Sequence, residues 1–567
     1  NIAIGADALG AATTTTGNIA IGRDALKIYT SGTGNNIAIG SYALDSANSD
    51  MERNIVIGIS AGATLNHADA DNHVIIGAYA GGALTTAGYC TLIGSSAGYA
   101  ATTVNGLIAI GNAAAAGGNI TSDAAGVIVI GGDSGYNLTT GTHNTFVGHN
   151  SGNKTVVGGE NAYFGYTAGK YATGSYNTFV GSQAGVGGTT SAPFSSGQNN
   201  TAVGYNALTA FTTGQLNTVI GHTAGTAITT ANYNTIVGAW AGDAVTSGGY
   251  NTALGFQAFS AASSDSTHTV AIGYQAGLAI TSGDGNIMIG AGAGNTTTDV
   301  DKAVIIGQNA GQGALVAADD GSVFIGYAAG VAVANGHHGN RNVLIGNEAG
   351  HDLTRGDGNV AIGEYALDGT SHANKNVAVG WQALTSMNVS SDIDTNNTAV
   401  GFAAGGSVTT GTSNTMIGYV AGDAVTTASG SVFIGSDAGG TVTTGNDNIA
   451  IGNRAMGVAA TTSDNNTAIG ANAGEDLTYG KENTFLGSGA GANVTTATGS
   501  TAIGYKALGV YTCTGINNTV VGASSGQYIN TGANNTILGN SSGGVLEGSG
   551  NIAIGQYTFA VPRREDS

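Results

Sequence analysis

Residues 234–250 contain the pattern that decides the fold, and they read Asn-Thr-Ile-Val-Gly-Ala-Trp-Ala-Gly-Asp-Ala-Val-Thr-Ser-Gly-Gly-Tyr. The same pattern starts again at Asn251 and recurs along the chain. We number positions from the Asn, so that position 5 is the Gly that closes the opening pentapeptide. From Gly5 to Gly555 there are 32 copies, a span of 550 residues over 31 intervals, or about 17.7 residues each. A period this regular is typical of stacked architectures.

Three copies show how constant the opening pentapeptide is between the start, the middle and the end of the array. Their defining residues at positions 1, 4 and 5 are Asn1, Ile4 and Gly5, then Asn144, Val147 and Gly148, then Asn551, Ile554 and Gly555. We interpret these residues as structural repeat positions. The array is predicted to run over 1–555 as one continuous β-solenoid, with a non-repeat tail at 556–567.

Side-chain alternation in a strand assigns the two faces of the pentapeptide. Position 4 is Ile, Val, Leu or Phe in every copy, so we expect that face to be buried in the coil. Position 3 points the other way, yet it is Ala in 14 copies and larger in the other 18. Apolar residues on both faces are typical of a strand sandwiched between layers. The second face is therefore predicted to contact a partner, most simply identical chains around an axis.

The second half of the unit predicts turns and another short strand. An apolar residue precedes a Thr pair in many copies, and β-branched residues favour strands. The glycines suit tight bends, and the recurrent Asn favours a ladder of side-chain amides along the stack. The expected fold is an all-β, parallel β-solenoid, or β-roll, of about 32 coils of 17–18 residues. Longer intervals predict bulging loops at 117–125, 189–198, 331–341 and 388–396.

Composition excludes several classes of protein. Only 8% of the residues are charged, and 34 acidic against 14 basic residues leave a net charge of −20. That sign disfavours nucleic acid and anionic lipid as partners. No run of 18 apolar residues occurs, so no membrane insertion is predicted. The two cysteines lie too far apart in the sequence to form a disulfide framework.

The motif Asn-[Thr/Ile]-x-Ile-Gly-x-x-Ala resembles the head repeats of trimeric autotransporter adhesins, whose coils are shorter. It also resembles repeats of phage tail-fibre proteins that end in an intramolecular chaperone of the endosialidase type. The resemblance covers Asn1 to about Gly555 and implies trimeric β-rolls on a virion or a cell surface. Fibres of that chaperone class cut themselves after a Ser that precedes an Asp. The resemblance therefore implies that Ser567 is a processing end, the alternative being an arbitrary chain end.

Strings that look catalytic occur inside the ordinary repeat. Residues 94–98 and 522–526 match the nucleophile-elbow pattern, which needs a strand-to-helix turn and His and acid partners. Residues 132–135, Gly-Asp-Ser-Gly, match a serine-protease signature but lie in the same slot of the repeat. No Cys or His spacing fits a zinc site, so we predict no enzyme, metal or cofactor site. The favoured function is the structural shaft of a phage tail fibre or similar virion appendage that supports attachment to a host-cell receptor. The alternatives are a bacterial extracellular adhesin or surface filament, and an ice-binding solenoid that uses the Thr pairs.

Overall fold

The computed structural model describes residues 1–32, 34–47, 50–261, 265–313, 315–316, 319–333, 341–369, 372–458, 462–544 and 548–559. The chain divides into two compact units, Asn1–Asp284 and Gly285–Ser567. Each unit is a parallel β-solenoid, which confirms the predicted fold class. The predicted tail lies outside the described residues from 560 onward, as does most of the predicted loop at 331–341.

The strands are short and recur once per coil. Those of the first unit, β1 to β16, are Ile2–Ile4, Ile19–Ile21, Ile37–Ile39, Ile55–Ile57, Val74–Ile76, Thr91–Ile93, Ile108–Ile110, Ile128–Ile130, Thr145–Val147, Ala162–Phe164, Thr178–Val180, Thr201–Val203, Thr218–Ile220, Thr235–Val237, Thr252–Leu254 and Val270–Ile272. Those of the second unit, β17 to β34, are Ile287–Ile289, Val304–Ile306, Val323–Ile325, Val343–Ile345, Val360–Ile362, Ala373–Asn374, Val377–Val379, Ile393–Asp394, Thr398–Val400, Thr415–Ile417, Val432–Ile434, Ile449–Ile451, Thr467–Ile469, Thr484–Leu486, Thr501–Ile503, Thr519–Val521, Thr536–Leu538 and Ile552–Ile554.

Within each unit, a strand pairs with the same three positions of the next coil. Thr235 lies opposite Thr252 and Val237 opposite Leu254, in parallel register. The outer amides join the same ladder, since Thr235 N–H donates to the carbonyl of Asn251 at 2.8 Å. Because every copy has a three-residue strand that is followed by glycine, the register repeats from coil to coil.

The side-chain faces of the strand are opposite to our expectation. Ile236 at position 3 is fully buried, whereas Leu254 at position 4 is 46% exposed. In every described coil the position-4 side chain is partly or well exposed, so the prediction of a buried position 4 is wrong for the single chain. The physical reason is parity: Asn at position 1 and the residue at position 3 share the inward face. Position 3 is fully buried whether it carries a small residue, such as Ala253, or a large one, such as Phe146.

The glycine at position 5 lets adjacent coils approach closely. Gly238 has φ +141°, and a Cβ atom there would lie 2.2 Å from the carbonyl oxygen of Gly255 in the next coil. Real Cβ atoms essentially never come within 3.0 Å of another heavy atom. The repeat therefore requires glycine here for backbone conformation and for space.

The predicted second strand is absent from most described coils. The Thr-pair segment makes sparse backbone hydrogen bonds to the next coil, such as Thr229 N–H to the carbonyl of Thr246 at 2.9 Å. The described chain contains one such two-stranded pair, Ala373–Asn374 with Ile393–Asp394, and two isolated bridges. The strand at 393–394 lies in the insertion predicted at 388–396. Turn conformations on either side leave too few consecutive extended residues for a full strand.

Candidate functional site

In 23 of the 32 copies, position 1 is an asparagine, and inside the coil its side chain connects three segments of backbone. Asn234 donates its backbone N–H and its side-chain amide to Oδ1 of Asn217, at 3.0 and 3.1 Å. The same amide donates to the carbonyl of Gly248 on the far side of its own coil at 3.2 Å. Its Oδ1 accepts the N–H of Asn251 at 2.9 Å. Where asparagines occupy position 1 of successive coils, each therefore bonds to its neighbours above and below and closes its own coil.

The asparagines chosen from the sequence all belong to this arrangement. The side chain of Asn1 donates to the carbonyl of Thr15 at 2.8 Å, and that of Asn144 donates to the carbonyl of Gly158 at 2.8 Å. At the other end, the side chain of Asn551 donates to Oδ1 of the preceding ladder asparagine at 2.9 Å. These residues have a structural role, and the structure does not bring them to a common surface site.

His73 and Cys90 replace asparagine in two neighbouring coils. His73 donates its backbone N–H to Oδ1 of Asn54 at 3.0 Å, as an asparagine at this position would. The Nε2 atom of its ring lies 2.8 Å from the carbonyl oxygen of Ala87. Its Nδ1 accepts the N–H of Cys90 at 3.1 Å, which assigns the ring proton to Nε2. Burial lowers the pKa of His73, and it raises the pKa of the Cys90 thiol to about 11. We did not predict a role for this histidine, although its place at position 1 of the repeat can be seen in the sequence.

The outward face of the strands is uncharged in all 32 copies. Position 2 is Ile, Val or Thr except for one Ala, and position 4 is Ile, Val, Leu or Phe. Ile4 and Ile554 are 59% and 64% exposed, and Val147 is partly exposed. We call the position-2 and position-4 side chains of β1 to β34, apart from the short strands at 373–374 and 393–394, the outward strand face. Within each unit, these uncharged and partly exposed side chains form a repeating row, and extended apolar surface of this kind marks a site for binding.

The glycines predicted as repeat positions border this face. Gly5, Gly148 and Gly555 have φ values of +131°, +138° and +121°, and each follows an exposed position-4 residue. They turn the chain at the end of the strand and carry no reactive group. Ser567 lies outside the described residues, so its role as a processing end stays a prediction.

The strings that look catalytic are not assembled into a site. Ser134 is buried, and its hydroxyl donates to the carbonyls of Phe146 and Ser151, at 3.3 and 3.2 Å. Ser525 donates to the carbonyl of Gly522 at 2.6 Å. These hydroxyls satisfy backbone groups where other coils carry Ala. Among the described residues, no group of three or more His, Cys, Asp or Glu could hold a metal ion. In the same part of the chain, no helix has the length and apolar character needed to cross a bilayer.

The Thr pairs divide their hydroxyls between structure and solvent. The first hydroxyl of a pair bonds to the next coil, as Thr409 does to the carbonyl of Thr426 at 3.0 Å and Thr426 to that of Thr443 at 3.1 Å. Only the second residue of each pair is well exposed in these coils. The first hydroxyl of each of these pairs is therefore used in a hydrogen bond between coils and is not free to bind ice. This weakens the case for a flat ice-binding face.

No protein-family model matches the chain, and no curated protein matches it either. Function must therefore be inferred from the surfaces and interior described above. Of these features, the outward strand face is the one whose chemistry points beyond a single chain.

Proposed function

We propose that this chain is the structural shaft of a fibre, on a phage tail or a similar virion appendage, and that it assembles as a homotrimer. The observation that carries the proposal is the outward strand face, which holds aliphatic or β-branched residues in water at every rung. The fold supports a mechanical role, because stacked coils joined by backbone bonds and buried asparagines form a repeating, stiff element. A shaft of this kind holds a receptor-binding end away from the particle during host attachment.

The extent of the outward strand face favours copies of the same chain as its partner. The first unit alone presents sixteen rungs with two outward residues each. A standard stable interface uses about 20–30 residues a side. An identical chain offers the same row at the same spacing, about 4.8 Å per rung, so every aliphatic residue would find a matching one. A chain with a net charge of −20 also needs an uncharged surface for self-association.

The mass of the native protein in solution tests the assembly. We expect about 166 kDa by light scattering, three times the 55.2 kDa of one chain. The double variant V237D/V400D places a carboxylate at position 4 in each unit, and we expect it to dissociate the assembly because it buries like charges. The matched control T230D/T427D adds the same charges on exposed Thr-pair positions and should keep the native mass. A native mass of 55.2 kDa would refute the trimer.

The location of the chain tests the fibre role separately. Antibodies raised against the chain should label an appendage of purified virions in immunogold electron microscopy. Labelling of bacterial surfaces without any labelling of virions would contradict the proposal and select the adhesin alternative. Both functions use the same architecture, so only location separates them.

A further inference from the structure

Five consecutive coils of the first unit carry an aromatic ring at the turn after the position-5 glycine. We call them the aromatic row: Tyr205, His222, Trp240, Phe256 and Tyr274. Neighbouring ring centroids are 5.3, 5.2, 5.3 and 5.6 Å apart along the row. The rings are exposed to solvent, Trp240 by 39% and Tyr274 by 55%. Contiguous exposed apolar surface of this kind is typical of a binding site.

Trp240 is turned relative to the other rings. Phe256 lies parallel to Tyr274, at 6°, while Trp240 is inclined by 80° to Phe256 and by 67° to His222. Because Phe256 and His222 each stack on their outer neighbours, their faces point along the row and meet the edge of the indole. The indole faces are then left for contacts outside the row. A ring face carries the negative part of the aromatic quadrupole and attracts polarised C–H groups.

A second row of side chains, at position 7 of four of these coils, supplies neutral hydrogen-bonding groups. We call it the amide row: Asn206, Thr223, Gln257 and Gln275. Gln275 donates from Nε2 to Oε1 of Gln257 at 2.9 Å, which uses one of several donor and acceptor sites on the two amides. The Oδ1 atom of Asn206 is buried and has no hydrogen-bond partner among the described residues, so Gln257 and Gln275 are the amides that a ligand would contact first. Polar groups beside an aromatic surface are the usual means of orienting a bound ligand.

The surroundings contain almost no charge, although the chain as a whole is strongly acidic. Residues 171–242 contain no Asp, Glu, Lys or Arg, and Asp243 is the one charged residue before Asp265. An anionic ligand would require Lys or Arg, and a charged group of either sign finds no ion-pairing partner between residues 171 and 242. Ring faces and neutral amides without charge match a ligand that has hydroxyl groups and C–H faces.

From these observations we infer that the aromatic row and the amide row form a binding track for a neutral polysaccharide. Sugar C–H faces pack on Trp240 and its neighbours, and sugar hydroxyls bond to the amide row. The track covers five rungs, about 19 Å at 4.8 Å per rung, so it suits a chain of several sugar units. A protein that holds such a track on its side binds a glycan along its length, which is a function beyond that of a spacer.

A second copy of this chain is the alternative occupant, because the aromatic row begins two residues beyond the outward strand face. Tryptophan fluorescence separates the two occupants, since Trp240 and Trp381 are the only tryptophans. In the W381F variant all tryptophan emission comes from the aromatic row. We expect acrylamide to quench Trp240 in the assembled protein, which requires that the row stays open in the assembly.

Titration with soluble oligosaccharides tests the track in the full chain. The probes are neutral six-unit hexose oligomers, cellohexaose and maltohexaose, with hexagalacturonate as the charged counterpart. We expect at least one neutral oligomer to shift Trp240 emission with saturation and the acidic oligomer to give no shift. The variant W240A/F256A should bind at least about tenfold more weakly when measured by calorimetry. Q257A/Q275A, which removes no ring, should bind about threefold to tenfold more weakly, since hydrogen bonds to a ligand are individually modest.

Removal of Tyr479 is the matched control for loss of an exposed ring. Tyr479 is 68% exposed and lies in the second unit, away from both rows in sequence. Y479A should leave oligosaccharide binding unchanged. The track is refuted if neither neutral oligomer binds, if both ring and amide variants bind as the parent does, or if assembly shields Trp240 from acrylamide. The result is independent of the trimer and location tests, so failure of one proposal leaves the other standing.

Discussion

Replacing a single position-5 glycine tests whether close approach of the coils selects this residue. In Gly238→Ala, the backbone keeps φ near +141°, a region that costs a side-chain-bearing residue about 1–3 kcal/mol. The new Cβ would lie 2.2 Å from the carbonyl oxygen of Gly255, whereas ordinary contacts begin at 3.4 Å. The two coils must therefore move apart locally by about 1 Å.

That movement stretches the inter-coil hydrogen bonds beside the glycine. The nearest are Gly255 N–H to the carbonyl of Val237 and Thr235 N–H to the carbonyl of Asn251, both 2.8 Å. Losing two such bonds costs about 1–3 kcal/mol, so we expect a total local destabilisation of about 2–6 kcal/mol. Because each coil of a solenoid contacts only its neighbours, the effect should remain near the substituted coil.

Hydrogen exchange measured by mass spectrometry can resolve this effect coil by coil. Peptides that contain Thr235–Val237 and Thr252–Leu254 should lose protection, while Thr145–Val147 should keep it. Gly106→Ala is the matched control, because Gly106 has φ +70° with nothing within 4 Å of a new Cβ. Gly106→Ala should lower the free energy of local unfolding by about 1–2 kcal/mol, because of its backbone conformation alone. If Gly238→Ala loses no more protection than Gly106→Ala, the clash between coils does not explain the invariant glycine.

Three further substitutions test the interior. Asn234→Ala removes the acceptor of the Asn251 N–H and leaves buried polar groups unpaired. Hydrogen exchange should show that the free energy of local unfolding falls by about 2–4 kcal/mol. Unchanged protection would contradict the role of the asparagine ladder. Tyr163→Phe should stabilise its coil by about 1–2 kcal/mol, since the buried phenol has no partner among the described residues, and slower proteolysis would report it. His73 has a pKa below its ordinary value because it is buried, so its neutral form contributes stability above about pH 6.5 that is lost as pH falls through the folded pKa. Proteolysis near residue 73 should accelerate between pH 7 and 5, and H73N should reduce that acceleration; equal acceleration in both proteins would refute the assignment.

Much of the architecture could be predicted because the repeat encodes it many times. The 17-residue spacing from Asn234 to Asn251 requires equivalent positions to stack, and parallel pairing with an unchanged register follows. The glycine after the strand and the asparagine before it were recognised as turn and ladder residues for the right physical reasons. The serines in the catalytic-looking strings were also recognised as ordinary turn residues, and Ser134 indeed bonds to backbone carbonyls.

The choice of the inward face could not be made from hydrophobicity alone. Position 4 is more uniformly apolar than position 3, so it resembles a core position, yet Ile236 is inside and Val237 faces outward. The decisive factor is the shared parity of the asparagine and position 3, together with a narrow interior that accepts Ala. The prediction of a second strand in each coil was also wrong for most described coils. β-Branched residues such as Thr246 lie between turns there, and they make too few backbone hydrogen bonds to the next coil to form a strand.

The sequence by itself determined the period, the parallel stacking and the presence of apolar residues on both sides of the strand, because these depend on local residue type repeated at constant spacing. Only the tertiary structure decided which side is the core, how His73 replaces an asparagine in the ladder, and that five aromatic residues from separate coils form one exposed row. Those properties depend on where turns place side chains relative to the coil axis and to the next coil. Residues 17 positions apart become neighbours only when the chain has closed each coil.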